Sequence, residues 1–274
     1  MRTNLYTPKK SLGQHFLHDM NIARNIVAQL DAQPDDTVLE IGPGQGVLTG
    51  LLYDTGCSLI AADIDQRAIE ALSDIFPAEA YPRLLPLHAN VLTMDLRELS
   101  AEHKAPLRVI GNLPYNITSQ IFFHIFDQPE AVRDAVFMMQ REVAERIIAK
   151  PHCKEYGILS VLTQTHAAVR RCFNVSPNVF TPKPNVWSSV IHVQIEHDRL
   201  AKIKNYSFFR RLVKATFGQR RKTLSNSLKQ LGFTRESLPS DAVPFLSQRP
   251  EQLAVGDFIM LSNLIEDHVG TRKE

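Results

Sequence analysis

Cysteine is scarce in this sequence. There are three in 274 residues, Cys57, Cys153 and Cys172, and no two form a CxxC pair. That excludes a disulfide-stapled scaffold and a cysteine metal knuckle, and it fits a reducing compartment. The ten histidines show no HExxH or comparable ligand spacing, so no metal site is expected. No G-x-S-x-G and no P-loop occurs, which removes nucleophile-elbow hydrolases and P-loop nucleotidases. No run approaches the roughly 18 apolar residues of a membrane span. The opening MRTNLYTPKKSLGQHF has no apolar signal core, so a cytoplasmic chain that engages no membrane is expected. Acidic residues are absent from residues 202–229, which carry nine Lys/Arg, whereas the whole chain has 31 basic and 29 acidic residues. The remainder is therefore net acidic, and a basic segment on an acidic body points to a localised polyanion site.

What is present is an alternation of strand-like and helix-like patches. Asn21–Leu30 carries Ile22, Ile26, Val27 and Leu30 at helical spacing, which predicts a helix. Thr37–Ile41 reads as a short buried strand running into GPGQG and then into a helix closed by Gly56. SLIAADID is a second strand ending in acids, Gln66–Phe76 a helix, LLPLHAN a third strand and LRVIGN a fourth, with AVFMMQ and SSVIHVQI beyond. Strands alternating with helices predict a parallel doubly wound sheet, an α/β fold. After His197 the signals are helical, with Phe209, Leu212, Val213 and Phe217 on one stripe and breaks at Pro239, Pro244 and Pro250. The expected division is a catalytic domain over 1–198 and a small helical domain over 199–274.

In EIGPGQG, Gly42 and Gly44 let the backbone turn tightly against a ligand, and Asp63 ends the next strand, where it can accept hydrogen bonds from two ribose hydroxyls. The spacing is G-x-G-x-G. A nucleoside-type cofactor follows, and the loop alone leaves open whether it is a nicotinamide or S-adenosylmethionine. The fourth strand decides, because it ends in Asn112-Leu113-Pro114-Tyr115, at the edge where such sheets bind ligands. Pro114 stiffens the backbone and pushes Leu113 toward an extended conformation. Tyr115 offers a flat face to a base. The Asn112 side-chain oxygen and the Leu113 carbonyl can both accept from an exocyclic amine. The adenine amine is a poor nucleophile because its lone pair is delocalised into the ring. Two acceptors gripping its hydrogens favour a pyramidal nitrogen aimed at the methyl of a sulfonium. Positioning of this kind supplies about 7–11 kcal/mol of a barrier, and no strongly basic side chain is required.

These motifs resemble those of adenine-N6 methyltransferases, and the rest of the chain narrows the resemblance. SLGQHFL (Ser11–Leu17), MMQREVAERI (Met138–Ile147), YGILSVLTQ (Tyr156–Gln164), VFTPKPNVWSSV (Val179–Val190), FGQRRKTLSNSL (Phe217–Leu228) and RPEQL (Arg249–Leu253) are similar to segments of the KsgA/RsmA family of rRNA adenine dimethyltransferases. The resemblance implies a Rossmann-like class I methyltransferase sheet with a small C-terminal α-helical domain. It implies contacts to S-adenosyl-L-methionine from His15, Leu17, Gly42, Gly44, Asp63, Asn90 and Asn112. Asn112, Leu113, Pro114 and Tyr115 would hold the target adenine, with Phe180 stacked on its far face. Arg220, Arg221 and Lys222 would meet RNA phosphates, which give affinity rather than sequence choice. The implied product is N6,N6-dimethyladenosine at two adjacent adenosines near the 3′ end of 16S rRNA. The implied partner is a small-subunit assembly particle, and the chain is expected to act as a monomer. Three positions depart from the family pattern: Asp63 and Asn90 stand where Glu and Asp are usual, and Trp187 stands in place of an Asp.

Overall fold

The computed structural model describes residue 7, residue 9 and residues 13–270. Ser11 and Leu12 of the N-terminal motif lie outside the described residues. In chain order the elements are β1 (Phe16–Leu17), α1 (Met20–Leu30), β2 (Thr37–Ile41), α2 (Val47–Tyr53), β3 (Ser58–Asp63), α3 (Gln66–Ile75), β4 (Leu84–His88), α4 (Leu96–Glu102), β5 (Leu107–Asn112), α5 (Thr118–Phe126), β6 (Val132–Gln140), α6 (Arg141–Ile148), α7 (Ile158–His166), β7 (Ala167–Val175), β8 (Phe180–Thr181), β9 (Ser188–Ile195), α8 (Tyr206–Gly218), α9 (Leu224–Lys229) and α10 (Val255–Gly270). Two compact units result. One comprises the described residues up to Ala144 together with Val169–Ile195; the other comprises Glu145–Ala168 and the chain from Glu196 onward. The second unit thus contains a stretch, 145–168, that precedes the expected 199–274 span.

The first unit is built on a seven-stranded sheet in the order β4-β3-β2-β5-β6-β9-β7. The five strands from β4 to β6 are parallel, and β9 runs antiparallel to β6. The apolar runs that predict strands are the central ones: every residue of β2 is buried, as are Leu107–Gly111 of β5. That is the signature of strands covered on both faces. The order reverses between β2 and β5, because chain direction across the sheet changes there. A crevice opens outside the carboxyl ends of strands at such a point.

The opposite edge is pinned by one buried arginine. Arg108, at the start of β5, donates through Nε and Nη2 to the two carboxylate oxygens of Asp134 at 2.8 and 2.6 Å. Its Nη1 donates to Asp36 at 2.8 Å and to the Asp31 carbonyl at 3.0 Å, and its Nη2 also reaches the Leu30 carbonyl. One side chain therefore ties the end of α1, the approach to β2, and β6 to β5. Burial alone would raise both aspartates, but hydrogen bonds and the Arg108 charge more than offset it and hold Asp36 and Asp134 below the usual carboxylate range.

The second unit is helical. Phe209, Leu212 and Val213 of the expected stripe are buried in α8, Phe217 is partly buried, and Phe208 is buried beside them. Phe217 packs edge-on against Tyr156 and tilts on Phe258. The Tyr156 hydroxyl donates to the Leu253 carbonyl at 2.9 Å. Among the described residues no helix is long and apolar enough to cross a membrane, and no three His, Cys, Asp or Glu side chains converge as metal ligands.

Arg108→Met removes the buried cation that bridges Asp36 and Asp134, leaving the half-exposed Arg133 and the His192 ring beside them, and is expected to cost about 3–5 kcal/mol in urea unfolding. The aspartate contribution is complete above the ordinary pKa of about 3.9 and is lost as pH falls toward the lowered folded values. The gap between wild type and variant should therefore narrow below about pH 4, and a gap that widens there would contradict the assignment.

Candidate active site

β2 and β5 lie side by side, with Ile41 opposite Gly111. A Cβ on Gly111 would sit 2.5 Å from the Ile41 carbonyl oxygen, so only glycine allows the two strands to approach this closely. The chain leaves β2 through a turn in which Gly42, Gly44 and Gly46 all have positive φ, at 70°, 55° and 77°, a region that side chains with a Cβ rarely adopt. It leaves β5 through Asn112-Leu113-Pro114-Tyr115. Both exits occur at the same sheet edge, and they share one cavity of about 220 Å³.

Ten of the residues singled out in the sequence line that cavity: His15, Leu17, Gly42, Gly44, Asp63, Asn90, Asn112, Leu113, Pro114 and Tyr115. Asn112 Nδ2 donates to the His15 carbonyl at 2.9 Å. That bond orients the amide, and among the described residues none is seen to donate to its Oδ1. The Leu113 N–H donates to the Met138 carbonyl at 2.9 Å, which fixes the following peptide. The Tyr115 hydroxyl and the Ser188 hydroxyl lie 3.0 Å apart. Burial pushes the Tyr115 phenol upward against the opposing effect of that bond. The His15 ring stacks on Tyr115 with centroids 5.4 Å apart. Its Nδ1 donates to the Pro182 carbonyl at 2.7 Å. Asn90 uses its side-chain oxygen to accept the Leu92 N–H at 3.0 Å, so one lone pair of that oxygen is engaged.

Two carboxyls flank the glycine turn. Asp63, at the end of β3, is raised by burial, although its oxygen accepts the Asp65 N–H at 2.8 Å. Glu40 is only 1% exposed. Burial pushes it up to about 7, with the Asp63 charge adding to the rise and a 2.7 Å bond from the Thr49 hydroxyl opposing it. Two neighbouring acids held toward the neutral form by burial would be drawn toward the charged form by a cation between them. Ile64 is 53% exposed although aliphatic, and it and Leu92 both line the cavity. An acid for vicinal hydroxyls, aliphatic faces for a flat base, an amide beside them and an acidic wall for a positive centre fit a nucleoside sulfonium such as S-adenosylmethionine.

Two sequence expectations meet a different arrangement. Phe180 does not line the cavity: β8 pairs antiparallel with β1, Phe180 stands opposite Leu17, and its ring is 3% exposed in the core. His15, rather than Phe180, faces Tyr115. Arg220 donates to Glu251 at 2.8 Å and to the Cys153 carbonyl at 2.9 Å, so it is engaged inside the second unit, whereas Arg221 and Lys222 are exposed. Glu40 went unremarked in the sequence. Its signal was an acid within an otherwise apolar strand immediately before a glycine turn.

A parallel sheet continued by an antiparallel strand, with a glycine turn after β2, an acid after β3 and a polar aromatic corner after β5, defines a class I methyltransferase. Solved structures agree on the fold: a dimethyladenosine transferase from Plasmodium falciparum superposes with TM-score 0.80 at 23% identity, covering 93% of this chain and 98% of that one. The 23S rRNA methyltransferase ErmE gives 0.68 at 22%, covering 92% and 99%. The chain belongs to the ribosomal RNA adenine dimethylase family, which it matches over residues 6–265, and it is an rRNA adenine dimethyltransferase. Similar relatives include the ribosomal RNA small subunit methyltransferase A of Parabacteroides distasonis, 40% identical over 97% of this chain and 96% of that protein. The protein of the same name from Salinibacter ruber is 42% identical over 96% and 86%.

Gly111→Ala forces backbone against backbone and is expected to cost about 1–3 kcal/mol in denaturant unfolding. Gly218→Ala, where an added Cβ meets nothing within 4 Å, serves as its control and should be neutral or slightly stabilising. Equal effects of the two would remove the argument for close strand approach.

Proposed function

We propose that this enzyme dimethylates N6 of two adjacent adenosines near the 3′ end of 16S rRNA, acting as a cytoplasmic monomer on a small-subunit assembly particle. The names of the similar small-subunit methyltransferases support the choice of RNA. One observation carries the chemistry: the Asn112 amide is oriented by the His15 carbonyl, so that its Oδ1 and the Leu113 carbonyl present two acceptors beside the glycine turn.

In this reading His15, Leu17, Gly42, Gly44, Asp63, Asn90 and Asn112 hold S-adenosylmethionine. When bound, it supplies an electrophilic methyl group on a positively charged sulfur. Asp63 accepts from the ribose hydroxyls, and Asn90 meets the adenine amine with the remaining lone pair of its oxygen. The target adenine leaves its stack, at a cost of a few kcal/mol, and rests against Tyr115. Asn112 Oδ1 and the Leu113 carbonyl hold its amine so that the nitrogen lone pair points into the cavity. After transfer the amine proton is free to leave to water, so neither Glu40 nor His15 is needed as a base. Phe180 acts from behind, where its pairing with β1 keeps His15 in place. Arg221 and Lys222 meet phosphates, and Arg220 braces the loop that carries them.

Asn112→Ala removes one acceptor and loosens His15 while leaving the exposed cations untouched. The expected outcome, read by methyl transfer to small-subunit particles and by RNA gel shift, is a loss of about 100-fold or more in kcat with RNA affinity within twofold, in line with removing one preorganised polar contact at a reacting centre. Wild-type turnover by this variant would sink the proposed amine grip.

A further inference from the structure

The strap between β8 and β9 passes beside the cavity mouth. Pro182 accepts from His15, and Ser188, the first residue of β9, holds the Tyr115 hydroxyl. Immediately before Ser188 stands Trp187, the only tryptophan of the chain. It is 48% exposed, and its neighbour Val186 is 43% exposed. Its backbone is not loose, because the Trp187 carbonyl accepts the Arg141 N–H at 2.9 Å. A large aromatic ring is therefore displayed to solvent on an anchored backbone, one residue from the group that positions Tyr115. A Trp of this size is normally largely covered.

The surroundings say what covers it. The strap residues 182–187 contain Lys183 and no acid, and Lys183 is exposed. An aromatic face with a cation and no carboxylate on its own strap suits a nucleotide, whose base stacks and whose phosphate is anionic. Trp187 does not line the cavity, so the base it meets is not the one being methylated.

We propose that Trp187 is a substrate-binding residue that stacks on a nucleotide flanking the target adenine in the RNA strand. This rests on the reading of the cavity as an RNA adenine methylation site. Stacking holds the strand on one side of the extruded base and orients it toward Tyr115.

The test uses the full-length protein, a protein-free RNA oligonucleotide of the 3′-terminal small-subunit sequence, and the intrinsic fluorescence of the single tryptophan. RNA addition should quench Trp187 emission. Trp187→Ala should weaken RNA binding about 5- to 150-fold and raise KM for particles with kcat little changed, while Trp187→Phe should recover most of the affinity. The cofactor affinity of both variants should match wild type. Unchanged emission at saturating RNA, or RNA affinity of Trp187→Ala equal to wild type, overturns the proposal. Methyl transfer by wild type to adenines of small-subunit particles is measured alongside. Methylation with silent Trp187 removes this inference alone, whereas no adenine methylation removes the underlying reading and this inference with it. If Trp187→Ala fails to fold, the wild-type emission and the Phe variant still decide.

Discussion

The close passage of Gly111 past the Ile41 carbonyl is the constraint on which the site depends. It sets β2 directly beside β5, at the point where the strand order reverses. Two loops that are about 70 residues apart in sequence then start from adjacent strand ends. Neither loop makes a site by itself. The glycine turn is a place for a ligand to lie against backbone, and the Asn-Leu-Pro-Tyr corner is a rigid pair of acceptors beside a ring. Their adjacency turns two common loop types into one cavity where a methyl donor and a nucleobase amine can meet. The Arg108 network does the complementary work at the far edge, fixing the same strands at their other ends.

The electrostatics of the cavity follow from the burial of its two acids. Glu40 and Asp63 are both pushed toward the neutral form, chiefly by burial, so the wall carries latent negative charge that a cation would draw out. The N-terminal segment closes the other side. It brings His15 onto Tyr115 and lends its carbonyl to Asn112, so the orientation of the amide oxygen is dictated by backbone.

Much of this was readable in the residues. β2, β3, β5 and β9 coincide with apolar runs bounded by turn residues, because strands inside the sheet have no polar face to disguise them; the edge strand β4 was readable from Leu84, Leu85 and Leu87. β7 was missed for the opposite reason: it lies at the sheet edge, and its Arg170, Arg171 and Asn174 face away from the core. β1 and β8 are two residues each, too short to show a period. Gly42, Gly44, Asp63 and the run Asn112 to Tyr115 were legible because glycine, proline and a terminal acid punctuate strand ends, whereas His15, Leu17 and Asn90 were expected only from the family resemblance. Phe180 and Arg220 were not, because both are consumed by partners distant in sequence: the short β1–β8 pairing draws the Phe180 ring into the core, and Glu251 claims the Arg220 guanidinium. The inclusion of 145–168 in the second unit was likewise hidden, since it depends on contacts such as Tyr156 with Leu253.

The most direct test of the account is nucleoside mass spectrometry of small-subunit particles incubated with the enzyme and S-adenosylmethionine carrying an isotopically labelled methyl group. The account predicts the label in N6,N6-dimethyladenosine, on two neighbouring adenosines near the 3′ end of the RNA. Label in a different nucleoside, or label that enters only large-subunit RNA, would contradict it.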